Sequence, residues 1–326
     1  MAPCFGSEYK RKKTGMKFSF LFPGQGSQSV GMMNAFSDID IVRKTFSEAS
    51  DILGKDLWDM AEKGPDEILA QTTNTQPLML VSDVSMYRAW RTVCDAEPSV
   101  LAGHSLGEYA ALVASEALSF SDAVSLVQTR AELMQSAVPA GVGAMAAVLG
   151  LDDEQIIAAC EKVSETGRVV EPANFNAPGQ VVIAGHREAV EAAVEEAKSL
   201  GAKRAMTLPM SVPSHCSLIT EAANSFFEAL ESVPFETPKI PVIHNESVLP
   251  AGNPQEIRES LKKQLYRPVR WSETVSSLSK RQVTHVSECG PGKVLSGLCK
   301  RINKELLVLS ISDPESMRNT ASEISA

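Results

Sequence analysis

The chain has 326 residues, which suits two domains or one large domain with an insertion. Hydrophobic residues make up 44% and charged residues 22%, and these values exclude a disordered, collagen-like or coiled-coil chain. With 40 acidic and 31 basic residues the net charge is −9, so the molecule repels phosphate backbones and nucleic acid is not an expected partner.

The first 15 residues differ from the rest. A basic run at 10–13 has no apolar segment behind it, so it is not a secretory signal. We expect residues 1–15 to be a disordered extension or tag, with an organelle-targeting piece as the alternative. No stretch reaches the about 20 apolar residues of a membrane helix, so no membrane association is expected. The six cysteines include no CxxC pair, which predicts reduced thiols and a cytoplasmic location.

Short apolar runs alternate with amphipathic helical stretches along most of the chain. They predict strands at 17–22, 99–103, 240–244, 283–288 and 306–310. Strands that are separated by helices form a parallel sheet, so the predicted fold class is α/β.

The segment 138–206 follows a different order. It predicts a strand at 143–150, a helix at 152–166, strands at 168–175 and 180–185, a helix at 186–200 and a strand at 202–208. This βαββαβ order is the ferredoxin-like pattern. We therefore predict a small subdomain at 138–206, inserted into a large subdomain made of 16–137 plus 207–326.

The pentapeptide Gly103-His104-Ser105-Leu106-Gly107 matches the GxSxG nucleophile elbow. A predicted strand enters it and an Ala- and Leu-rich helix leaves it, which is the context that this motif needs. The sharp turn tolerates only glycine-sized neighbours, and the start of the helix directs free backbone N–H groups towards an oxyanion beside the serine. We predict Ser105 as a catalytic nucleophile.

A serine hydroxyl needs a base, and the chain has five histidines. His215 follows Val212-Pro213-Ser214 in a loop that leaves the inserted segment, and we predict it as the base. His104 is expected to support the site from beside the serine. His186 is expected at the surface, and His244 and His285 are expected to be structural residues in strands.

Two glycine loops follow predicted strands. The loop 23–28 fails as a dinucleotide fingerprint because position 29 is serine, and as a phosphate-binding Walker loop because position 32 is methionine. Its place after the first strand instead fits a second oxyanion donor. The loop Gly290-Pro291-Gly292-Lys293 is typical of a tight turn into a helix.

Six segments together resemble one family, the malonyl-CoA:acyl carrier protein transacylases of type II fatty acid synthesis. The resemblance runs from about residue 16 to the C-terminus, and it implies an α/β-hydrolase-like parallel-sheet large subdomain with an inserted ferredoxin-like small subdomain. The segments are FPGQGSQ at 22–28, GHSLGEYAAL at 103–112, QTR at 128–130, PSH at 213–215, QLY at 264–266 and ECGPG at 288–292.

The resemblance assigns roles to individual residues. It implies that Ser105 accepts the acyl group, that His215 is its base, and that Gln25 and Leu106 supply backbone oxyanion donors. Arg130 would bind the free malonyl carboxylate, because a guanidinium fork can hold a carboxylate through two hydrogen bonds. The residues alone leave Arg130 open to the alternative of a helix-surface arginine.

In ordinary serine hydrolases an acidic side chain is the third member of the catalytic triad, and this chain differs from them at that position. No acidic residue after Ser105 stands in a suitable strand-end loop. The resemblance places Gln264 where a backbone carbonyl orients the histidine.

The implied reaction is a ping-pong transfer of malonyl from malonyl-CoA to the phosphopantetheine thiol of acyl carrier protein, through a malonyl-serine, with no metal and no tightly bound cofactor. A serine esterase or thioesterase with the same nucleophile is the alternative, and the residues before His215 leave methylmalonyl open as a donor. Carrier proteins of this family are acidic, so docking needs local basic residues. The candidates are Lys203, Arg204, Lys300 and Arg301.

Overall fold

The structure is a computed structural model that describes residues 16–210 and 212–325. The extension or tag expected at 1–15 lies outside the described residues. Among the residues described, no helix combines the length and the apolar character that crossing a membrane requires. The five described cysteines are buried thiols.

Helices and strands alternate along the described chain. The strands are β1 (Phe18–Phe22), β2 (Val100–Gly103), β3 (Gly143–Leu149), β4 (Val170–Ala177), β5 (Gln180–His186), β6 (Arg204–Thr207), β7 (Val242–Ile243), β8 (His285–Glu288) and β9 (Leu307–Ser310). The α-helices are α1 (Asp40–Leu53), α2 (Leu57–Lys63), α3 (Asp66–Leu69), α4 (Thr72–Val93), α5 (Gly107–Ala114), α6 (Phe120–Ser136), α7 (Asp153–Val163), α8 (Arg187–Ser199), α9 (Thr220–Ser232), α10 (Pro254–Tyr266), α11 (Trp271–Lys280), α12 (Val294–Ile302) and α13 (Pro314–Ser325).

A parallel sheet forms the centre of the larger part. Its strand order is β7-β2-β1-β8-β9, and each neighbouring pair is parallel. All five residues of β1 are buried, as expected for a strand covered by helices on both faces. The aromatic ring of Phe20 packs edge-on against Trp90 of α4, with ring centroids 5.0 Å apart. The predicted α/β class with a parallel sheet is confirmed.

A second, antiparallel sheet has the order β4-β5-β3-β6, with α7 and α8 packed against it. Strands β4 and β5 form a hairpin around Pro178 and Gly179, and Gly179 takes the positive φ of 69° that such a tight turn favours. The elements follow the βαββαβ order, so the ferredoxin-like pattern is confirmed. The limits of the small subdomain, 138–206, remain a prediction.

The two sheets meet beside the end of α10. Phe175 of β4 donates its backbone N–H to the carbonyl of Val269 (2.9 Å), and Val269 donates its own N–H to the carbonyl of Ala173 (2.8 Å). These bonds tie the small sheet to the segment between α10 and α11. The hairpin β4–β5 also reaches the GxSxG turn at the carboxyl end of β2, where Asn176 of β4 contacts the side chain of His104.

Candidate active site

Ser105 lies in the turn between β2 and α5, with a φ of 51°. A residue other than glycine rarely takes this left-handed conformation, and strain of this kind concentrates at functional sites. The flanking glycines are required by space. A Cβ on Gly103 would lie 1.9 Å from the carbonyl carbon of Gly107, and a Cβ on Gly107 would lie 2.0 Å from the carbonyl oxygen of Phe22.

His215 stands directly beside the serine. Its Nε2 lies 2.8 Å from Ser105 Oγ, and its Nδ1 lies 2.7 Å from the backbone carbonyl oxygen of Gln264. A carbonyl can only accept, so the Nδ1 proton points to Gln264 and Nε2 is free to take the serine proton. That carbonyl has no partner within its helix, because the residue four positions on is Pro268, which has no N–H. A backbone group therefore occupies the place of the usual triad acid.

The imidazole of His215 is held neutral. Burial and the neighbouring positive charge of Arg130 lower the pKa of His215 to about 3, while its hydrogen bond to the Gln264 carbonyl acts in the opposite direction. A neutral imidazole is the form that can accept a proton at physiological pH.

Arg130 lies on α6 and is only 1% exposed. Its Nη2 donates to Ser105 Oγ (3.2 Å) and to Gln264 Oε1 (3.0 Å), and its Nη1 donates to Gln76 Oε1 (2.7 Å). None of the ion pairs among the described residues includes Arg130. The structure thus has a buried cation beside the nucleophile that makes no direct contact with any carboxylate of the described residues.

Gln25 and Leu106 bring two backbone N–H groups to the same place. Neither N–H takes part in a hydrogen bond within the described chain, and both residues line the cavity at Ser105. The two loops come together closely, because a Cβ on Gly24 would lie 2.4 Å from the carbonyl oxygen of His104. The pair has the arrangement of donors that an oxyanion needs.

A cavity of about 410 Å³ joins these groups between the two sheets. Its polar lining includes Ser105, His215 and Arg130, while Gln264 lies behind it. A mostly apolar wall with a few convergent polar groups is typical of a small-molecule site. The apolar lining includes Met134, Met145, Val182, Leu208 and Leu298.

Comparison with known proteins decides the family. Residues 19–297 match the family model described as acyl transferase domain. The malonyl CoA-acyl carrier protein transacylase of Escherichia coli K12 is 49% identical over 302 residues, covering 92% of this chain and 97% of the relative. The chain belongs to the malonyl CoA-acyl carrier protein transacylase family.

Solved structures of this family share the fold. The malonyl CoA-acyl carrier protein transacylase of Coxiella burnetii superposes with a TM-score of 0.94 at 44% identity, covering 96% of this chain and 99% of the other. A chain from a complex between a type II PKS acyl-carrier protein and its malonyl-transacylase superposes with a TM-score of 0.92 at 46% identity. The match covers 94% of this chain and 99% of the other.

Three buried polar residues of this family member were missed at the sequence level. Gln76 accepts from Arg130, and Asn245 accepts the N–H of Ser105 through Oδ1 (2.7 Å) while its Nδ2 donates to the carbonyl of Gly103 (2.6 Å). Glu108 accepts from the backbone N–H of Asn245 and from Gln264 Nε2. The signals available were polar residues inside apolar segments: a glutamate on an otherwise apolar helix, and an asparagine at the end of a strand.

The other histidines have their own partners. His104 lines the cavity, and its Nε2 lies 2.8 Å from Asn176 Oδ1 on β4. His186 accepts the N–H of Val169 through Nδ1 (3.0 Å). His244 contacts Glu108, and His285 contacts Thr284. None of these four contacts Ser105 Oγ.

The four basic residues predicted for docking, Lys203, Arg204, Lys300 and Arg301, are all exposed. Lys203 and Arg301 line one shallow depression beside the turn at Pro178 and Gly179. The Arg301 guanidinium donates to the side chain of Gln180, which itself lines the active-site cavity. Of the four, Arg301 is therefore linked through one side chain to the lining of the active-site cavity.

No three His, Cys, Asp or Glu side chains in the described part of the chain are grouped as a metal site. That the protein needs no metal and no tightly bound cofactor remains a prediction.

Proposed function

We propose that this protein transfers the malonyl group from malonyl-CoA to the phosphopantetheine thiol of acyl carrier protein in fatty acid biosynthesis, through a malonyl ester on Ser105. The family supports this reaction, since the Escherichia coli relative is named for it. The observation that carries the proposal is Arg130, a buried guanidinium that contacts Ser105 Oγ and pairs with no described carboxylate. It matches a donor whose acyl group ends in a carboxylate.

In the first half-reaction Ser105 Oγ attacks the thioester carbonyl and its proton passes to His215 Nε2. The backbone N–H groups of Gln25 and Leu106 hydrogen-bond the oxyanion. The carbon–sulfur bond then breaks, and the CoA sulfur leaves as a thiol with the proton from His215. The carbonyl of Gln264 orients the imidazole throughout.

In the second half-reaction the thiol of the carrier gives its proton to His215 and attacks the serine ester. The same two N–H groups stabilise the second oxyanion. The ester bond breaks, and Ser105 regains its proton from His215. Malonyl thus moves between two thioesters of similar energy.

Arg130 binds the malonyl carboxylate in this scheme. In the structure its Nη2 donates to Ser105 Oγ, and its Nε–H has no hydrogen-bond partner among the described residues. A carboxylate next to the serine would accept from these donors, and charge-assisted pairs of this kind are the strong ones.

The esterase alternative is not favoured. An esterase or thioesterase for neutral acyl groups would share the nucleophile, base and oxyanion donors. It would have no use for a guanidinium buried in the acyl cavity, because burying a charge is costly and a neutral acyl group offers it no partner.

The proposed function is tested by measuring intact mass in sequence. Incubation with malonyl-CoA is expected to add the mass of one malonyl group to the protein. A holo carrier protein is then expected to remove that group, so that the added mass appears on the carrier. Loss of the label to water as free malonate, with no malonyl carrier formed, would contradict transfer and support the hydrolase.

The docking role of the basic residues is a separate proposal. Reversing charge with Lys203→Glu and Arg301→Glu together is expected to raise the apparent KM for the acidic carrier by about tenfold, and less at high salt, because rim charges act through screened attraction. The control is Lys44→Glu, an exposed lysine on α1 outside the cavity lining. An unchanged KM for the carrier in the double variant would remove these residues from the docking surface.

The cytoplasmic location remains a prediction from the cysteines.

A further inference from the structure

Glu108 is a fully buried carboxylate on α5 that no step above uses. Its Oε2 accepts from the backbone N–H of Asn245 (3.0 Å) and from Gln264 Nε2 (2.9 Å). Its Oε1 lies 2.7 Å from His244 Nδ1. Three nitrogen atoms therefore surround the carboxylate.

The hydrogen bonds indicate that this pair carries one negative charge. His244 is 1% exposed, and its Nε2 has no hydrogen-bond partner among the described residues. A proton on Nε2 would be a buried donor without an acceptor, which is costly. The neutral ring with its proton on Nδ1 fits the site, and Glu108 then keeps its charge.

The side-chain amide of Gln264 separates this anion from Arg130. Its Oε1 accepts from Arg130 Nη2 (3.0 Å), while its Nε2 donates to Glu108 Oε2 (2.9 Å) and to the backbone carbonyl of Ser105 (2.9 Å). A guanidinium only donates and a carboxylate only accepts, so the amide has one possible orientation. The cation and the anion stand at opposite ends of one amide.

We propose that Glu108 is the counterion of Arg130 across the Gln264 amide, and that its charge limits how tightly Arg130 binds the carboxylate of the substrate. The inference rests on the proposed function, since it concerns the carboxylate that Arg130 takes there. A direct Arg130–Glu108 ion pair would occupy the guanidinium. The absence of any counterion would instead leave an uncompensated buried cation. The Gln264 amide is a spacer between the two charges and avoids both situations. Arg130 can therefore bind a malonyl group and still release it to the carrier.

The test is Glu108→Gln, assayed by inhibition with free malonate against malonyl-CoA. The amide can accept from Asn245 and Gln264 through its oxygen and donate to His244 Nδ1 once the histidine proton moves to Nε2. The unpaired N–H that results on Nε2 is expected to lower the stability of the variant, but it leaves the loss of charge near Arg130 unchanged. Removing the negative charge is expected to tighten malonate inhibition about tenfold, since charges this close interact appreciably even at an effective dielectric of about 20. Structural damage alone would weaken it, so the two explanations predict opposite signs.

A matched control is Glu288→Gln. Glu288 is also buried and accepts two backbone N–H groups, from Leu295 (3.0 Å) and Ser296 (2.8 Å), but it contacts neither Arg130 nor Gln264. Its substitution is expected to leave the malonate inhibition constant unchanged. Equal tightening in both variants would overturn the proposal, because it would reflect net charge and not the pairing through Gln264.

A second variant, Gln264→Leu, tests the spacer if Glu108→Gln does not fold. The backbone carbonyl that holds His215 remains, but Arg130 loses the acceptor that links it to Glu108, while its bonds to Gln76 and Ser105 remain. Malonyl transfer is expected to fall at least about tenfold more than acetyl transfer, since only the malonyl group uses Arg130. Equal losses would overturn the spacer role. In Glu108→Gln, unchanged or weaker malonate inhibition with Ser105 still labelled overturns this inference alone, whereas failure of the wild-type protein to form malonyl-serine overturns the proposed function.

Discussion

Ser105→Ala is expected to abolish covalent labelling by malonyl-CoA and to lower transfer to the carrier by at least about 10⁴-fold. The reason is chemical, because the malonyl group has no acceptor oxygen without Oγ and His215 has no proton to take. Alanine fits the same backbone turn, so the fold is expected to persist. Radiolabelled malonyl-CoA followed by peptide mapping measures the label, and thermal unfolding verifies the fold.

The cavity offers matched controls for that experiment. Ser27 and Ser214 are the other serines in its described lining. Ser27→Ala and Ser214→Ala are expected to keep the label on Ser105. A malonylated Ser105→Ala protein would place the nucleophile elsewhere and contradict the proposed mechanism.

Arg130→Ala is expected to lower kcat/KM for malonyl-CoA by about 100- to 1,000-fold and to affect acetyl-CoA far less. Charge-assisted hydrogen bonds contribute about 1.5–3 kcal/mol each, and a bidentate contact supplies two, although the two are not additive. An acetyl group has no carboxylate to lose. The measurement compares both donors with the same carrier protein and the same enzyme preparation.

Arg130→Lys separates charge from geometry. Lysine keeps the positive charge but cannot donate in a fork to Gln76, Gln264 and the substrate at once, so an intermediate loss for malonyl-CoA is expected. If Arg130→Ala lowers malonyl and acetyl transfer by the same factor, the guanidinium serves the fold of the site and does not bind the carboxylate.

Much of the fold follows from local patterns. The inserted βαββαβ segment is predictable because each strand and helix has its own periodicity and the hairpin carries Pro178-Gly179 at its turn. The strand predicted at 240–244 agrees least well with the structure, since only Val242–Ile243 forms β7. Pro241 directly precedes it and lacks the N–H that a longer ladder would need.

The residues of the active site also differ in whether local sequence patterns predict them. Ser105 and its glycines are neighbours in sequence, so a motif finds them. The supporting contacts join distant residues: 54 positions separate Gln76 from Arg130, 140 separate Ser105 from Asn245, and 156 separate Glu108 from Gln264. Hydrophobic periodicity carries no information on such pairs, because only the folded backbone brings them together.

The end of α10 has an electrostatic consequence for the base. The last carbonyls of a helix carry the negative end of its dipole, equivalent to about half an elementary charge. Here the carbonyl of Gln264 accepts from the Nδ1 of His215, and the carbonyl of Leu265 accepts from its backbone N–H (2.9 Å). When His215 takes the serine proton, the imidazolium forms against this helix terminus. The enzyme thus stabilises the charged intermediate with peptide dipoles that never titrate, and no side-chain substitution at position 264 can remove the carbonyl that provides it.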